Sequence, residues 1–354
     1  MVKKKTPKKR GKAKSTNKSR KRAVEAAPKK VASTKEEKAL AAQPPKPKKI
    51  YKYIGPDNLS KIFHSADVTT LKCSLPKEFN DPYELFLTID FNERPDALAF
   101  YADAIGELPQ LPTTCFSRSP IVLPMWAHYA QNLEGFALEF LEDRLDKAFP
   151  QSRLDDMSYT DVPSKDLTTM LYRAHLIGKH RYTYFLQRMV FQAAYFTKAS
   201  CWSYEQERRM VVQSGTRQAD ALTLLDVPIG CINSIICGPR ASEQSKKTLF
   251  KKAEEIGCQS LELRIGKSST IPYFVNADGE PFSFDQTEIV PNEQSCETCQ
   301  EPLAEPTGQC SWCQIDDELR QLAASRNPFR ILAHAGLLES YIEGMDAVGA
   351  RKTE

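Results

Sequence analysis

From Tyr51 onward the apolar residues recur at two spacings, one helical and one strand-like, and the two alternate along the chain. GPDNLSKIFHSA reads as a short capped helix, with Asp57 as N-cap and Leu59, Ile62 and Phe63 on one face. DVTTLKCS, TTCFS (113–117) and GFALEF (135–140) read as strands, whereas RPDALAFYADAIGEL and PMWAHYAQN (124–132) read as helices, the second opened by Pro124. FNDP (79–82) is a turn, and Asn80 and Asp81 before Pro82 suit an Asx-turn. Residues 164–198 hold one long helical pattern with Gly178 as its only internal breaker. RRMVVQS, ALTLLDVPI, INSIICG, QSLELRI and TIPYFVN follow as strands, and Gly257 stops a helix over 242–257. Two helical stretches, DDELRQLAAS and PFRILAHAGLLESYIEGM, close the chain. The pattern predicts an α+β fold: a mixed or antiparallel sheet with packed helices, then a small zinc-ribbon-like module and C-terminal helices.

Charge divides the chain in a way the overall balance hides. The whole sequence has 49 basic and 45 acidic residues, but the first fifty hold 19 and three of them. Residues 51–354 therefore carry 30 basic and 42 acidic side chains. Residues 1–49 have no aromatic residue and few branched aliphatics, so they cannot bury enough surface to fold and are expected to be disordered. Pro44, Pro45 and Pro47 end them as a stiff linker. Such a tail suits a polyanion, nucleic acid first, through counterion release. The plainer reading is a solubilising arm that folds back on the acidic body. The N-terminus lacks a secretory apolar core and no run is long enough to span a bilayer, so a cytoplasmic protein with no membrane partner is expected. Six of the ten cysteines (Cys73, Cys115, Cys201, Cys231, Cys237, Cys258) have apolar or strand-like neighbours and read as reduced core thiols.

The other four cysteines form two C-x-x-C pairs, Cys296/Cys299 and Cys310/Cys313, across a ten-residue spacer. Two tight turns offering four thiolates suit tetrahedral zinc, with bonds of about 2.3 Å. A set made only of cysteine leaves no open position for water, so the role is structural. The spacer includes EPLAEPTGQ, which is acidic, so it favours a structural role or a protein partner over contact with phosphate.

Between 51 and 240 several clusters stand in order: YKYI (51–54), FNDPYE (79–84), TCFS (114–117), MWAHYAQNLEGFALEF (125–140), KASCWSYEQERR (198–209) and VPIGCINSIICGPR (227–240). Over about residues 51–260 this set resembles the bacterial family called domain of unknown function 2971. The family name implies no activity. A more distant likeness is to ADP-ribosyltransferases, whose sites need an orienting residue on a first strand, a hydroxyl on a second and a late glutamate. Here that order is Tyr53, Ser117 and Glu205-x-Glu207, although Tyr53 stands where His or Arg is usual. The resemblance implies NAD as substrate, Glu207 as the catalytic carboxylate and Glu205 as the group that positions the acceptor. Tyr53 and Ser117 would hold NAD, with Asn80 and His128 as further candidate contacts.

Each cluster also has a plainer reading. Glu205 and Glu207 beside Arg208 and Arg209 suit a buried ion-pair network. Trp126 and Tyr129, three apart on one helical face, suit the core. His175 and His180, with Arg173, Lys179 and Arg181, suit a solvated basic stripe. The expected division is a basic tail (1–49), an α+β domain (50–285), a four-cysteine module (286–320) and a helical segment (321–354). Two functions follow. One is an ADP-ribosyltransferase-like enzyme acting on nucleic acid or a nucleic-acid-associated target, in a toxin or phage-defence setting. The other is a non-enzymatic nucleic-acid-associated binding protein with a structural zinc module.

Overall fold

The computed structural model describes residues 48–219 and 222–350. The basic segment assigned to 1–49 lies outside them except for Lys48 and Lys49. The architecture is α+β. In chain order the strands are β1 (Lys49–Ile54), β2 (Val68–Cys73), β3 (Thr113–Ser117), β4 (Phe136–Leu141), β5 (Arg153–Asp156), β6 (Ser158–Tyr159), β7 (Thr197–Lys198) and β8 (Glu207–Val211). They continue with β9 (Thr216–Ala219), β10 (Leu222–Pro228), β11 (Ile232–Cys237), β12 (Gln259–Arg264), β13 (Tyr273–Asn276), β14 (Pro281–Phe284) and β15 (Ile289–Pro291). Ten of these form one mixed sheet in the order β15-β14-β13-β12-β11-β4-β1-β3-β8-β5. Its β11–β12 pair is parallel and is joined by the Glu243–Ile256 helix. A smaller sheet, β2-β10-β9, packs into the same core. The large sheet runs on to Pro291, so its last strand falls within the segment 286–320.

Register positions the site. Tyr51 pairs with Glu139 of β4 on one side and with Ser117 of β3 on the other, and Ser117 pairs with Glu207 of β8. Because side chains alternate between faces, Tyr51, Tyr53, Cys115, Ser117, Glu207 and Arg209 share one face. On the opposite face Ile50, Phe116, Leu138, Phe140 and Met210 enter a core closed by Leu249 and Ala253 of the Glu243–Ile256 helix. Each such large apolar side chain contributes about 1.5–3 kcal/mol by burial. The polar-bearing face is covered by the Leu123–Tyr129 helix, whose Trp126 ring meets Tyr53 edge-on at 5.1 Å.

Two glycines let the chain close over this region. A Cβ at Gly135 would lie 2.1 Å from the Ile54 carbonyl oxygen, and one at Gly238 would lie 2.3 Å from that of Leu133. The turn before Gly135 holds Gln131, Asn132 and Leu133 in succession at positive φ (50°, 56° and 70°). Left-handed backbone costs such residues about 1–2 kcal/mol each. The turn is held by Asn132 N–H to Ala127 O (3.0 Å) and Gly135 N–H to Ala130 O (2.8 Å).

Several expected elements differ in detail. The pattern over 164–198 is two helices, Lys165–Ile177 and His180–Phe196, because Gly178 adopts φ +66° and ends the first as a left-handed cap. They pack with the Pro95–Ile105 helix around Leu167, Leu171, Leu186 and Val190. Asp57 is not an N-cap: it lies inside a 3-10 turn, Pro56–Asn58, that runs straight into the four-residue Leu59–Ile62 helix. The last helical stretch splits at Gly336 (φ +70°) into Pro328–His334 and Leu338–Ala350. Cys201 is exposed in the 3-10 turn Ser200–Glu205, so it is not a core thiol. Among the described residues no helix is long and apolar enough to cross a membrane.

Candidate functional site

β1 and β3 pair only at Tyr51–Ser117, whereas β3 pairs with β8 at five positions. Where β1 and β3 part, a cavity of about 330 Å3 opens. Its walls include Lys52, Tyr53, Phe79, Asn80, Cys115, Phe116, Tyr129, Lys198, Glu205, Glu207 and Arg209.

The acidic pair is set by the turn between β7 and β8. Gln206 takes a left-handed conformation (φ 46°) after the 3-10 turn, so the chain reverses between the two glutamates. Ser117 Oγ donates to the Glu205 carbonyl at 2.7 Å, and the Glu207 N–H donates to the Tyr159 hydroxyl at 2.7 Å. Arg118 N–H holds the Gln206 carbonyl at 2.9 Å. β6 and the end of β3 thus fix the backbone of a turn whose side chains line the cavity.

Those side chains form a continuous buried network. Lys198 Nζ lies 2.5 Å from Glu205 Oε2 and 3.2 Å from Glu207 Oε2. Arg209 is fully buried; its Nε donates to Glu207 Oε1 at 2.7 Å and its Nη2 to Oε2 at 3.2 Å. Arg209 Nη1 donates to Glu84 and, at 3.0 Å, to the Tyr195 carbonyl. The Tyr129 hydroxyl donates to Glu205 Oε1 at 2.6 Å. Burial alone would raise the Glu207 carboxyl, but the Arg209 and Lys198 charges outweigh it and hold it down to about 2. Burial would lower Lys198, and Glu207 and Glu205 instead raise it above the usual lysine range. Glu84 is raised, because burial outweighs Arg209, and its Oε2 is buried without a hydrogen-bond partner. Two cations, Lys198 and Arg209, therefore face the Glu205–Glu207 pair, and Arg209 also contacts Glu84.

The sequence-predicted residues are placed as follows. Glu205, Glu207, Tyr53 and Asn80 come together on the cavity wall. Ser117 is fully buried beneath it, with its hydroxyl committed to Glu205 and to the Ser119 N–H at 3.2 Å. The Tyr53 hydroxyl donates to the Ser119 carbonyl at 2.7 Å, so its ring face, not its oxygen, is what it offers. Asn80 lines the cavity together with Tyr129. Asp81 makes the Asx-turn, accepting from the Tyr83 N–H at 2.9 Å. His128 is exposed on the covering helix, 6.4 Å from the Tyr204 ring, and does not line the cavity. Tyr129, expected in the core, is instead half-buried and reaches Glu205. Lys52 and Cys115 also line the cavity, although Cys115 reads from sequence as a core thiol and no local spacing marks a lysine between two tyrosines as a cavity residue.

Cys296, Cys299, Cys310 and Cys313 bring their sulfurs within 4.8 Å of one another and can hold a metal ion. Cys299 Sγ and Cys310 Sγ are 3.9 Å apart. A tetrahedron of sulfurs at about 2.3 Å from a central ion has edges of about 3.8 Å, so the spacing fits. The Cys313 N–H points at Cys310 Sγ at 3.4 Å, and Gln300 (φ 59°) and Gly308 (φ 73°) make the two reversals. Burial acts to raise the Cys296 thiol, and neighbouring N–H groups bring it down to about 6. Glu301 ties the module to the sheet by accepting from the Lys267 and Ser268 N–H groups at 3.1 and 2.7 Å, and Tyr273 donates to the Cys299 carbonyl at 2.8 Å.

Residues 125–210 match the family described as "Protein of unknown function (DUF2971)". The matched stretch runs from Met125 of the covering helix to Met210 of β8 and contains both Glu205 and Glu207. No curated protein matches the chain. Among solved structures, Thermus sp. 2.9 DarT in complex with ADP-ribosylated ssDNA is similar at 15% identity, over 60% of this chain and 90% of that one, with a TM-score of 0.27.

Proposed function

We propose that the cavity binds NAD as substrate and that the chain is an ADP-ribosyltransferase-like enzyme. The observation that carries this reading is the Glu205–Glu207 pair, which lines an aromatic-walled cavity with Glu207 held ionised while buried. Cleavage breaks the bond between the ribose anomeric carbon and the nicotinamide nitrogen, and the electron pair leaves with nicotinamide. Positive charge develops on the anomeric carbon, and a carboxylate that stays ionised in a dry site stabilises it. Glu207 supplies that charge. Glu205 positions the acceptor and takes its proton as the new bond to the anomeric carbon forms. Tyr53 and Phe79 offer ring faces, and Tyr129 and Lys198 fix the orientation of Glu205. The acceptor is nucleic acid or a nucleic-acid-associated molecule, recruited by the basic residues of 1–49. The four-cysteine cluster takes structural zinc, since four thiolates leave no position for water.

One observation favours a second reading. Both carboxylate oxygens of Glu207 already accept from Arg209 and Lys198, as a purely structural brace would require. The chain would then be a nucleic-acid-associated binding protein, with affinity that falls steeply with salt and depends on residues 1–49.

Nicotinamide release from NAD by the full chain, with and without single-stranded nucleic acid, decides between them. Release that falls at least about 100-fold in a folded Glu207→Gln variant is the expected result. Release that is unchanged in that variant, or absent from the wild type under both conditions, overturns the enzymatic reading.

A further inference from the structure

Among the described residues, the buried cations Lys198, Arg208 and Arg209 have carboxylates at ion-pair distance, and the half-buried Lys52 of β1 has none. Lys198, Arg208 and Arg209 each contact two or more acidic side chains. Lys52 does not. Its Nζ donates to Thr114 Oγ1 at 3.0 Å and to the Cys115 carbonyl at 2.8 Å, both neutral, and lies 5.7 Å from the centre of the Phe116 ring. An ammonium has three N–H donors, so one is left for the cavity. A cation removed from water without a counter-charge is unfavourable, and burial accordingly pushes Lys52 below the ordinary lysine range.

Lys52 stands where it does because β1 and β3 part after Tyr51–Ser117, which leaves the Cys115 carbonyl free to be capped by its ammonium. Lys72 of β2 lines the same end of the cavity, is exposed and has no acidic partner among the described residues. Ser74 and Thr113 line it as well. This end therefore holds two amines without counter-charge and two hydroxyl side chains, while aromatic rings form the walls beside it.

We propose that the Lys52–Lys72 end of the cavity is a binding site for the phosphate groups of a nucleotide. A phosphate has enough oxygens to accept from both amines at once and supplies the charge that Lys52 lacks. The adjacent rings receive the planar part of the same ligand. The assignment rests on the cavity being the nucleotide site proposed above, but not on any bond being cleaved there.

The test is calorimetric titration of the full chain at physiological salt with AMP, adenosine and inorganic pyrophosphate. The wild type is expected to bind AMP at least about tenfold tighter than adenosine and to bind pyrophosphate measurably. Lys52→Gln should abolish most of that preference, and Lys72→Gln should narrow it. Equal affinities for AMP and adenosine, or no binding of AMP and pyrophosphate, overturn the proposal. A preference that survives in both variants also overturns it, since the phosphate is then held elsewhere, as on residues 1–49. If Lys52→Gln does not fold, an unchanged preference in Lys72→Gln is sufficient to overturn it. Loss of nicotinamide release with the AMP preference intact would reject the reaction and leave the phosphate site standing.

Discussion

Replacing Arg209 by Met removes the cation on which the central network depends. Arg209 is fully buried and serves Glu207, Glu84 and the Tyr195 carbonyl together. Its loss leaves Glu207 with Lys198 alone and Glu84 with no ion pair. Breaking a buried pair from one side costs about 3–5 kcal/mol. Linkage gives a similar figure. Glu207 is held at about 2 against an ordinary 4.5, and at about 1.4 kcal/mol per unit this contributes about 3 kcal/mol. A lowered carboxyl stabilises the fold fully above its unfolded value, and that contribution is lost as pH falls from 4.5 towards 2. At pH 3 about 2 kcal/mol of it has gone from the wild type, while the carboxylates of the variant can protonate in place. Urea unfolding followed by circular dichroism should therefore show Arg209→Met less stable by about 3–5 kcal/mol at pH 7, with the gap reduced by about 2 kcal/mol at pH 3. A gap under about 1 kcal/mol at pH 7, or one as large at pH 3, would refute the charge accounting. Adding Glu207→Leu to Arg209→Met should recover part of the loss, because an apolar pair no longer leaves a carboxylate uncompensated.

Two further predictions concern the frame around the site. Purified protein should carry about one zinc per chain, and Cys310→Ser should lower that content and expose the region between Pro291 and Asp317 to proteolysis, as read by metal analysis and limited digestion. Gly135→Ala should lower Tm and cost about 2 kcal/mol or more, since the added Cβ would lie 2.1 Å from a backbone oxygen that no rotamer change can move; an unchanged Tm would show that the Ile54–Gly135 approach is looser than described.

Local pattern determined much of this protein. Period-two runs such as TTCFS and GFALEF fold as β3 and β4, and the cap residues Ser242 and Gly257 bound the helix expected over 242–257. Gly178, the only internal breaker of the 164–198 pattern, and Gly336 end helices because each adopts positive φ. The two C-x-x-C pairs announce the sulfur cluster, since short-range spacing alone sets the geometry of each pair. The Glu205–Glu207 pair was legible as chemistry next to Arg208 and Arg209, but not which arginine it meets. Strand alternation sends Arg209 to the cavity face with Glu207 and sends Arg208 to the other face, against Glu142. Lys198, Tyr129 and Lys52 come from three different elements, up to 157 positions from Arg209 in the sequence. Only the register of β1, β3 and β8, and the gap where β1 leaves β3, brings them around one cavity. Pairing between distant strands depends on how the whole sheet closes its core, so the sequence determined the pieces and their chemistry, while tertiary structure decided which charges meet and which one, Lys52, is left without a partner.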